Sequence, residues 1–246
     1  MTTSPHDRTV PHQPGPHRST GPVAAIGGGL VVSCQAGPGH PLRDPDVIAR
    51  LAACAELGGA LGLRLNGAED IAAVRRHSSL PIIGIHKVWH GHRSLITPAL
   101  EYAHALQQAG ADIIAVDFTA ETPGDPAALV AAIREQTGCP VMADVSTVDE
   151  GLAAWQAGAD LVSSTLSGYT RAQASAAPAG PDLELVEALA SAGVRVVGEG
   201  RYRTPEDVRR AFDAGAWSVV VGSAITDPIQ ITRRLVAATP VRAPRS

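Results

Sequence analysis

A chain of 246 residues, 45% of them hydrophobic, has the length of one (β/α)8 barrel and enough apolar side chains to fill its core. A formal net charge of −4 without any basic block excludes a non-specific nucleic-acid binder, which must neutralise phosphates in series. No apolar run reaches the roughly 18 residues that a membrane span needs, and no apolar segment follows a basic start, so neither a membrane protein nor a secreted one is expected.

Residues 1–22 carry five prolines and three histidines with hardly an apolar side chain. Such a segment cannot bury enough surface to offset its ordering entropy, and it is read as a disordered tail. His6, His12 and His17 share no face and are not read as a metal site. One catalytic domain is expected over 23–240, and 241–246 as a second tail. The pattern becomes regular with a strand over 30–34 that ends at Gln35, then a helix over 45–57 opened by Asp44 as N-cap and closed by Gly58 and Gly59. Cys34, Cys54 and Cys139 are odd in number and lack metal-ligand spacing, which fits a reducing cytoplasm better than a disulfide framework or a zinc centre.

A strand over 60–65 carries Arg64 and leads through Asn66 and Gly67 into a helix ending at Arg76. A third strand, 81–85, delivers His86 and Lys87, and a helix is expected over 97–108. The unit then recurs: strand 113–116 ending at Asp117, helix 126–137, strand 140–143 ending at Asp144, helix 147–156, and strand 161–164 leading into Thr165. After a helix over 182–191 come two short β-branched runs, 194–197 and 218–221. The first releases Glu199, Gly200 and Arg201; the second releases Gly222 and Ser223 ahead of another helix. Ala-Gly-Ala follows three of the helices, where glycine can end the helix in the left-handed conformation and turn the chain into the next strand. Eight strands alternating with helices predict a parallel sheet closed as a (β/α)8 TIM barrel. An open dinucleotide-binding sheet would need its glycines after the first strand, whereas Gly27 to Gly29 precede it.

Closure brings eight strand ends to one rim, so Gln35, Arg64, Lys87, Asp117, Asp144, Thr165, Glu199 and Arg201 converge there. Each alone could close a salt bridge or cap a helix. For Asp117 and Asp144, structural and ligand-orienting roles stand even. Lys87 is favoured as functional, because desolvation at the end of an apolar strand lowers a lysine's pKa toward acid/base use. The glycine-terminated last two strands suit an anion, and the loops after those strands commonly hold a phosphate.

The stretches V-S-C-Q-A at 32–36, P-I-I-G-I at 81–85 with Lys87, M-A-D-V-S-T at 142–147, T-L-S-G-Y-T at 165–170, E-G-R at 199–201 and V-G-S-A-I-T at 221–226 resemble, in order and spacing, the N-acetylmannosamine-6-phosphate 2-epimerase family. The resemblance implies an isomerase that interconverts N-acetylmannosamine 6-phosphate and N-acetylglucosamine 6-phosphate in sialic acid catabolism, with no metal or organic cofactor. It assigns acid/base roles to Lys87 and Glu199. Substrate contacts fall to Gln35, Arg64, Asp144, Thr165 and Arg201, and the phosphate to Gly200, Arg201, Gly222 and Ser223.

Three places depart from the family's pattern. Asp227 stands where an arginine is common, and an acid there repels a phosphate. His86 and Val88 flank the lysine, followed by Trp89, His90, Gly91 and His92, of which the histidines are read as solvated. Phe118 is bulkier than usual beside Asp117. Two alternatives are carried: a barrel enzyme acting on another sugar phosphate, and a non-catalytic sugar-phosphate binder. The expected partner is a small sugar phosphate, and alanine-rich helical faces such as 49–55 could support a homodimer.

Overall fold

Eight parallel strands close into a barrel: β1 (Leu30–Cys34), β2 (Gly62–Asn66), β3 (Ile82–Ile85), β6 (Ile113–Asp117), β7 (Val141–Asp144), β8 (Leu161–Ser163), β9 (Val196–Glu199) and β10 (Ser218–Val221), with β1 pairing to both β2 and β10. Two further strands, β4 (Lys87–His90) and β5 (Arg93–Ile96), form an antiparallel ribbon outside the barrel. The computed structural model describes residues 21–171 and 180–240, so all but the end of the tail read over 1–22 lies outside the described residues, as does 241–246. The fold is a (β/α)8 barrel.

Helices α1 (Pro22–Ala25), α2 (Pro45–Leu57), α3 (Ala68–Arg75), α4 (Leu100–Gln108), α5 (Pro126–Thr137), α6 (Val148–Gln156), α7 (Leu183–Ser191), α8 (Pro205–Asp213), α9 (Ser223–Thr226) and α10 (Pro228–Val236) complete the order. Six of them, α2, α5, α6, α7, α8 and α10, start at side-chain caps, each worth about 1 kcal/mol. Asp44 accepts from the Asp46 and Val47 amides, and Thr147 and Thr204 form capping boxes with Glu150 and Asp207. Gly110, Gly158 and Gly215, the centres of the Ala-Gly-Ala turns, all have positive φ, as the sequence reading requires.

Alternation along the strands sorts side chains to two sides. Val31, Ile83, Ile113, Met142, Leu161, Val197 and Val220 fill the interior, while Val32, Leu63, Leu65, Ile114, Val116 and Val162 face the helices. Two residues beyond that interior layer, four of the inward positions turn polar: Ser33 after Val31, Asp144 after Met142, Ser163 after Leu161 and Glu199 after Val197. At the opposite end α1 packs Val23 and Ile26 against the interior, and the Trp217 indole donates to the Val23 carbonyl at 3.0 Å. Pro22, read as the end of the tail, is thus the first residue of α1.

Two expectations are corrected. The third strand is followed first by the β4–β5 ribbon, where no element was expected, because both strands are half polar, with β4 largely exposed and β5 mostly buried, and neither offers an apolar run longer than Leu95–Ile96. The helix expected over 97–108 begins at Leu100, since Thr97 holds a left-handed φ of 47° at the ribbon's end. The last helix, α10, has no buried residue. Beside it, Leu30, Val208, Val221, Ala224 and Ile225 line an apolar groove of about 380 Å³. Among the described residues, no helix is long and apolar enough to cross a membrane.

Candidate active site

A cleft of about 410 Å³ opens where the barrel strands end, and its walls include Gln35, Lys87, Thr165, Glu199, Gly200, Arg201, Gly222 and Ser223 from the sequence reading. These come from five places around the barrel: β1, the ribbon after β3, the turn after β8, β9 with its loop, and the loop after β10. Ser33, Tyr169, Tyr202, Val220, Thr226 and Asp227 complete the lining. Arg64 and Asp144 lie off the wall, buried in the barrel at 1% and 0% exposure.

Arg64 gathers the polar layer. Its Nη2 donates to Asp144 Oδ2 at 2.5 Å, and its Nη1 reaches Thr165 Oγ1 at 3.1 Å and also Glu199 Oε2. Thr165 Oγ1 lies 2.8 Å from Asp144 Oδ1 and 3.0 Å from Glu199 Oε2, and its one hydroxyl proton can serve only one of them at a time. Two carboxylates therefore share one guanidinium. Complete burial pushes the Asp144 carboxyl up to about 6; Arg64 opposes that shift and the Glu199 charge adds to it. The Glu199 backbone is fixed separately, since its amide donates to Ser164 Oγ at 3.1 Å while that hydroxyl donates back to the Glu199 carbonyl at 3.0 Å.

Lys87 is brought to the cleft by the ribbon. Its amide donates to Asn66 Oδ1 at 2.9 Å. The preceding residue, His86, exchanges bonds with Thr97, its amide donating to Thr97 Oγ1 at 3.0 Å and its carbonyl accepting from the Thr97 amide at 2.8 Å. The His86 ring stacks on Tyr102 at 4.3 Å. Lys87 as a whole is exposed, since the cleft is open to water. Enclosure by protein on the cleft side nevertheless lowers the ammonium's pKa, and the Arg64 charge adds to the effect. A lysine with a lowered pKa and a glutamate on one cleft are a pair that can move protons.

Beyond Glu199 the chain is strained. Arg201 is a non-glycine residue at φ 62°, after Gly200 at φ 106°. Its side chain holds that shape: Nε donates to the Gly180 carbonyl and Nη1 to the Ser167 carbonyl, both at 2.7 Å, with the guanidinium 5.6 Å from the Tyr169 ring centre. Across the β1–β10 seam, Thr226 Oγ1 donates to the Ser33 carbonyl at 2.8 Å.

Asp117, expected at the rim, does not line the cleft. It is buried in a second cluster built on Arg93, whose Nη1 donates to Asp117 Oδ2 at 2.5 Å and whose Nε donates to Glu121 Oε2 at 2.8 Å. Thr119 and Thr122 also donate to Asp117 Oδ1. Arg93 was missed, although Gly91 between His90 and His92, flanked by Val88 and Leu95, is a hairpin signal. His90 and His92 line a separate cavity of about 280 Å³ at the ribbon tip, where His92 Nδ1 accepts from Arg171 at 3.1 Å. Among the described residues, no group of three or more His, Cys, Asp or Glu could hold a metal ion.

Fold and site together define a class: a (β/α)8 barrel with a lysine and a glutamate facing one cleft at the carboxyl ends of its strands. The family model NanE, described as "Putative N-acetylmannosamine-6-phosphate epimerase", matches residues 48–240. A relative from Klebsiella pneumoniae (strain 342) is 50% identical over 81% of this chain and 84% of its own length, and one from Cutibacterium acnes is 46% identical over 85% and 93%; both are described as "Putative N-acetylmannosamine-6-phosphate 2-epimerase". The solved N-acetylmannosamine-6-phosphate 2-epimerase from Clostridium perfringens is 36% identical, with a TM-score of 0.84, over 93% of this chain and 100% of that one. The chain belongs to the N-acetylmannosamine-6-phosphate epimerase family.

Proposed function

We propose that the chain is an N-acylglucosamine-6-phosphate 2-epimerase, interconverting N-acetylmannosamine 6-phosphate and N-acetylglucosamine 6-phosphate in sialic acid catabolism. The observation that carries this reading is the meeting of Lys87 and Glu199 on one cleft above the Arg64 guanidinium. In the open-chain sugar, C2 lies next to the C1 aldehyde, so its proton can be removed to give an enolate and a proton returned on the other face. Lys87 and Glu199 serve as the acid/base pair, and the reaction needs no cofactor. Gln35, Thr165 and Arg201 contact the sugar from the wall. Arg64 and Asp144 act from below, where Arg64 offsets the developing charge. The amides of Gly200, Gly222 and Ser223, with Arg201, face the phosphate.

The family's name and the Clostridium perfringens likeness support the substrate, and the free Cys34, Cys54 and Cys139 suit a reducing cytoplasm. A homodimer is supported by α10, which buries no residue, and by Leu57 and Leu235, 90% and 68% exposed. Leu235→Lys is expected to lower the mass measured by light scattering to that of a monomer; an unchanged mass would remove this face from the interface.

The test of the activity is solvent exchange. With N-acetylmannosamine 6-phosphate in deuterated water, the wild type should exchange the C2 proton and form the epimer. Lys87→Ala and Glu199→Gln should each abolish formation of the epimer while keeping the fold seen by circular dichroism. Full epimerisation in either variant would rule that residue out.

A further inference from the structure

The cleft has a side that the proton-transfer chemistry does not use. Where β1 meets β10, its wall is made of Ser33, Gln35, Gly222, Ser223, Thr226 and Asp227. Asp227 is the acid of that side, and it is held in place. As N-cap of α10 its Oδ1 accepts from the Gln230 amide at 3.0 Å, and the same oxygen lies 3.6 Å from His40 Nε2. His40 Nδ1 accepts from the Leu42 amide at 3.1 Å, so the neutral ring carries its proton on Nε2, toward Asp227.

The cations on the cleft wall among the described residues are Lys87, which the proton transfer uses, and Arg201, two of whose nitrogens are already committed to the Gly180 and Ser167 carbonyls. Arg64 is likewise committed to Asp144 and Glu199. A dianionic phosphate on the β1–β10 side therefore meets, beside the Gly222 and Ser223 amides, a fixed carboxylate with little spare positive side-chain charge. A neutral hydroxyl there meets a hydrogen-bond acceptor. The same acid is unfavourable to one group and favourable to the other.

We propose that Asp227 opens this cleft to the non-phosphorylated N-acylhexosamine, so that the chain also epimerises N-acylmannosamine and N-acylglucosamine themselves. The inference rests on the epimerase reading and concerns which end-group the same site accepts. The chemistry is unchanged: one proton leaves C2 to an enzyme base, one returns to the opposite face, and nothing else is gained or lost. Asp227 acts on the end of the sugar remote from C2, binding a hydroxyl where a phosphate is disfavoured.

The test compares C2 epimerisation of N-acetylmannosamine and of its 6-phosphate by NMR in the wild-type chain, Asp227→Asn and Asp227→Arg. Asparagine keeps the helix cap while removing the charge, so it separates specificity from folding. The wild type should turn over both sugars with kcat/KM values within about tenfold of each other, since the phosphate brings both contacts and repulsion. Asp227→Asn and Asp227→Arg should lower KM for the phosphorylated sugar, by about tenfold or more with arginine, and not for the free one. Turnover of the phosphorylated sugar alone by the wild type would overturn this inference and leave the epimerase reading standing. An unchanged KM for the phosphorylated sugar in both variants would do the same. Turnover of neither sugar by the wild type would overturn both.

Discussion

Two clusters in this barrel are built from nearly the same parts. Arg64 binds Asp144, Glu199 and Thr165; Arg93 binds Asp117, Glu121 and Thr119. Asp117 and Asp144 are even register partners on neighbouring strands β6 and β7. The difference is what each cluster stands beside. The first lies under an open cleft with Lys87 on its wall, and one of its carboxylates reaches that wall. The second fastens the ribbon to the end of β6, with its aspartate buried. Residue type makes a cluster possible, and position relative to a cavity and a second titratable group makes it chemical.

Removing the two arginines should break this parallel. Arg64→Met leaves the buried Asp144 facing Glu199 with no cation between them and should cost about 3–5 kcal/mol of stability in denaturant unfolding, with epimerisation lost. Arg93→Met should cost about 1–3 kcal/mol, because Glu121 can turn to water and the buried Asp117 keeps the Thr119 and Thr122 hydroxyls. Its kcat should fall no more than about tenfold, as the ribbon that carries Lys87 loosens. Equal losses of activity in the two variants would erase the distinction.

The pH dependence of folding sharpens it. Asp144 has a raised pKa in the folded chain, so between about 4 and about 6 it is protonated when folded and ionised when unfolded. Its contribution is complete at low pH and is lost as the pH rises through about 6. Relative to Asp144→Asn, the wild type should therefore lose on the order of 2 kcal/mol across that window. Urea titrations at a series of pH values check this, and a difference that grows in the other direction would mean that Arg64 dominates the carboxylate.

The smallest effects are expected at the ribbon tip. His90→Ala and His92→Ala should keep kcat/KM within about twofold of wild type, since both rings face the second cavity and solvent. A tenfold loss in either would carry the chemistry out to the tip.

The barrel was legible because burial on both faces gives parallel strands continuous apolar runs, and because each run ends in a polar residue. Strand β1 and helix α2 fall where the sequence puts them. Lys87, Glu199, Gln35, Thr165 and Arg201 meet on the cleft for the same reason. The ribbon was not legible: Lys87–His90 alternates weakly and stands in water, so hydrophobic periodicity carries no signal there. Nor could Asp117 be told from Asp144, since the decision lies in Arg93, 24 residues away and reached only through space. The depth of Arg64 was hidden too, because a strand-end arginine reads the same whether it faces substrate or two acids of the barrel itself.

The central claim is that Lys87 and Glu199 work on opposite faces of one carbon. Its most direct test is the early time course of deuterium incorporation, starting from one pure epimer in deuterated water. The account predicts deuterium at C2 of the newly formed product while unreacted substrate still carries hydrogen there. Deuterium entering the substrate pool as fast as product forms would mean that one group handles both protons, and would contradict it.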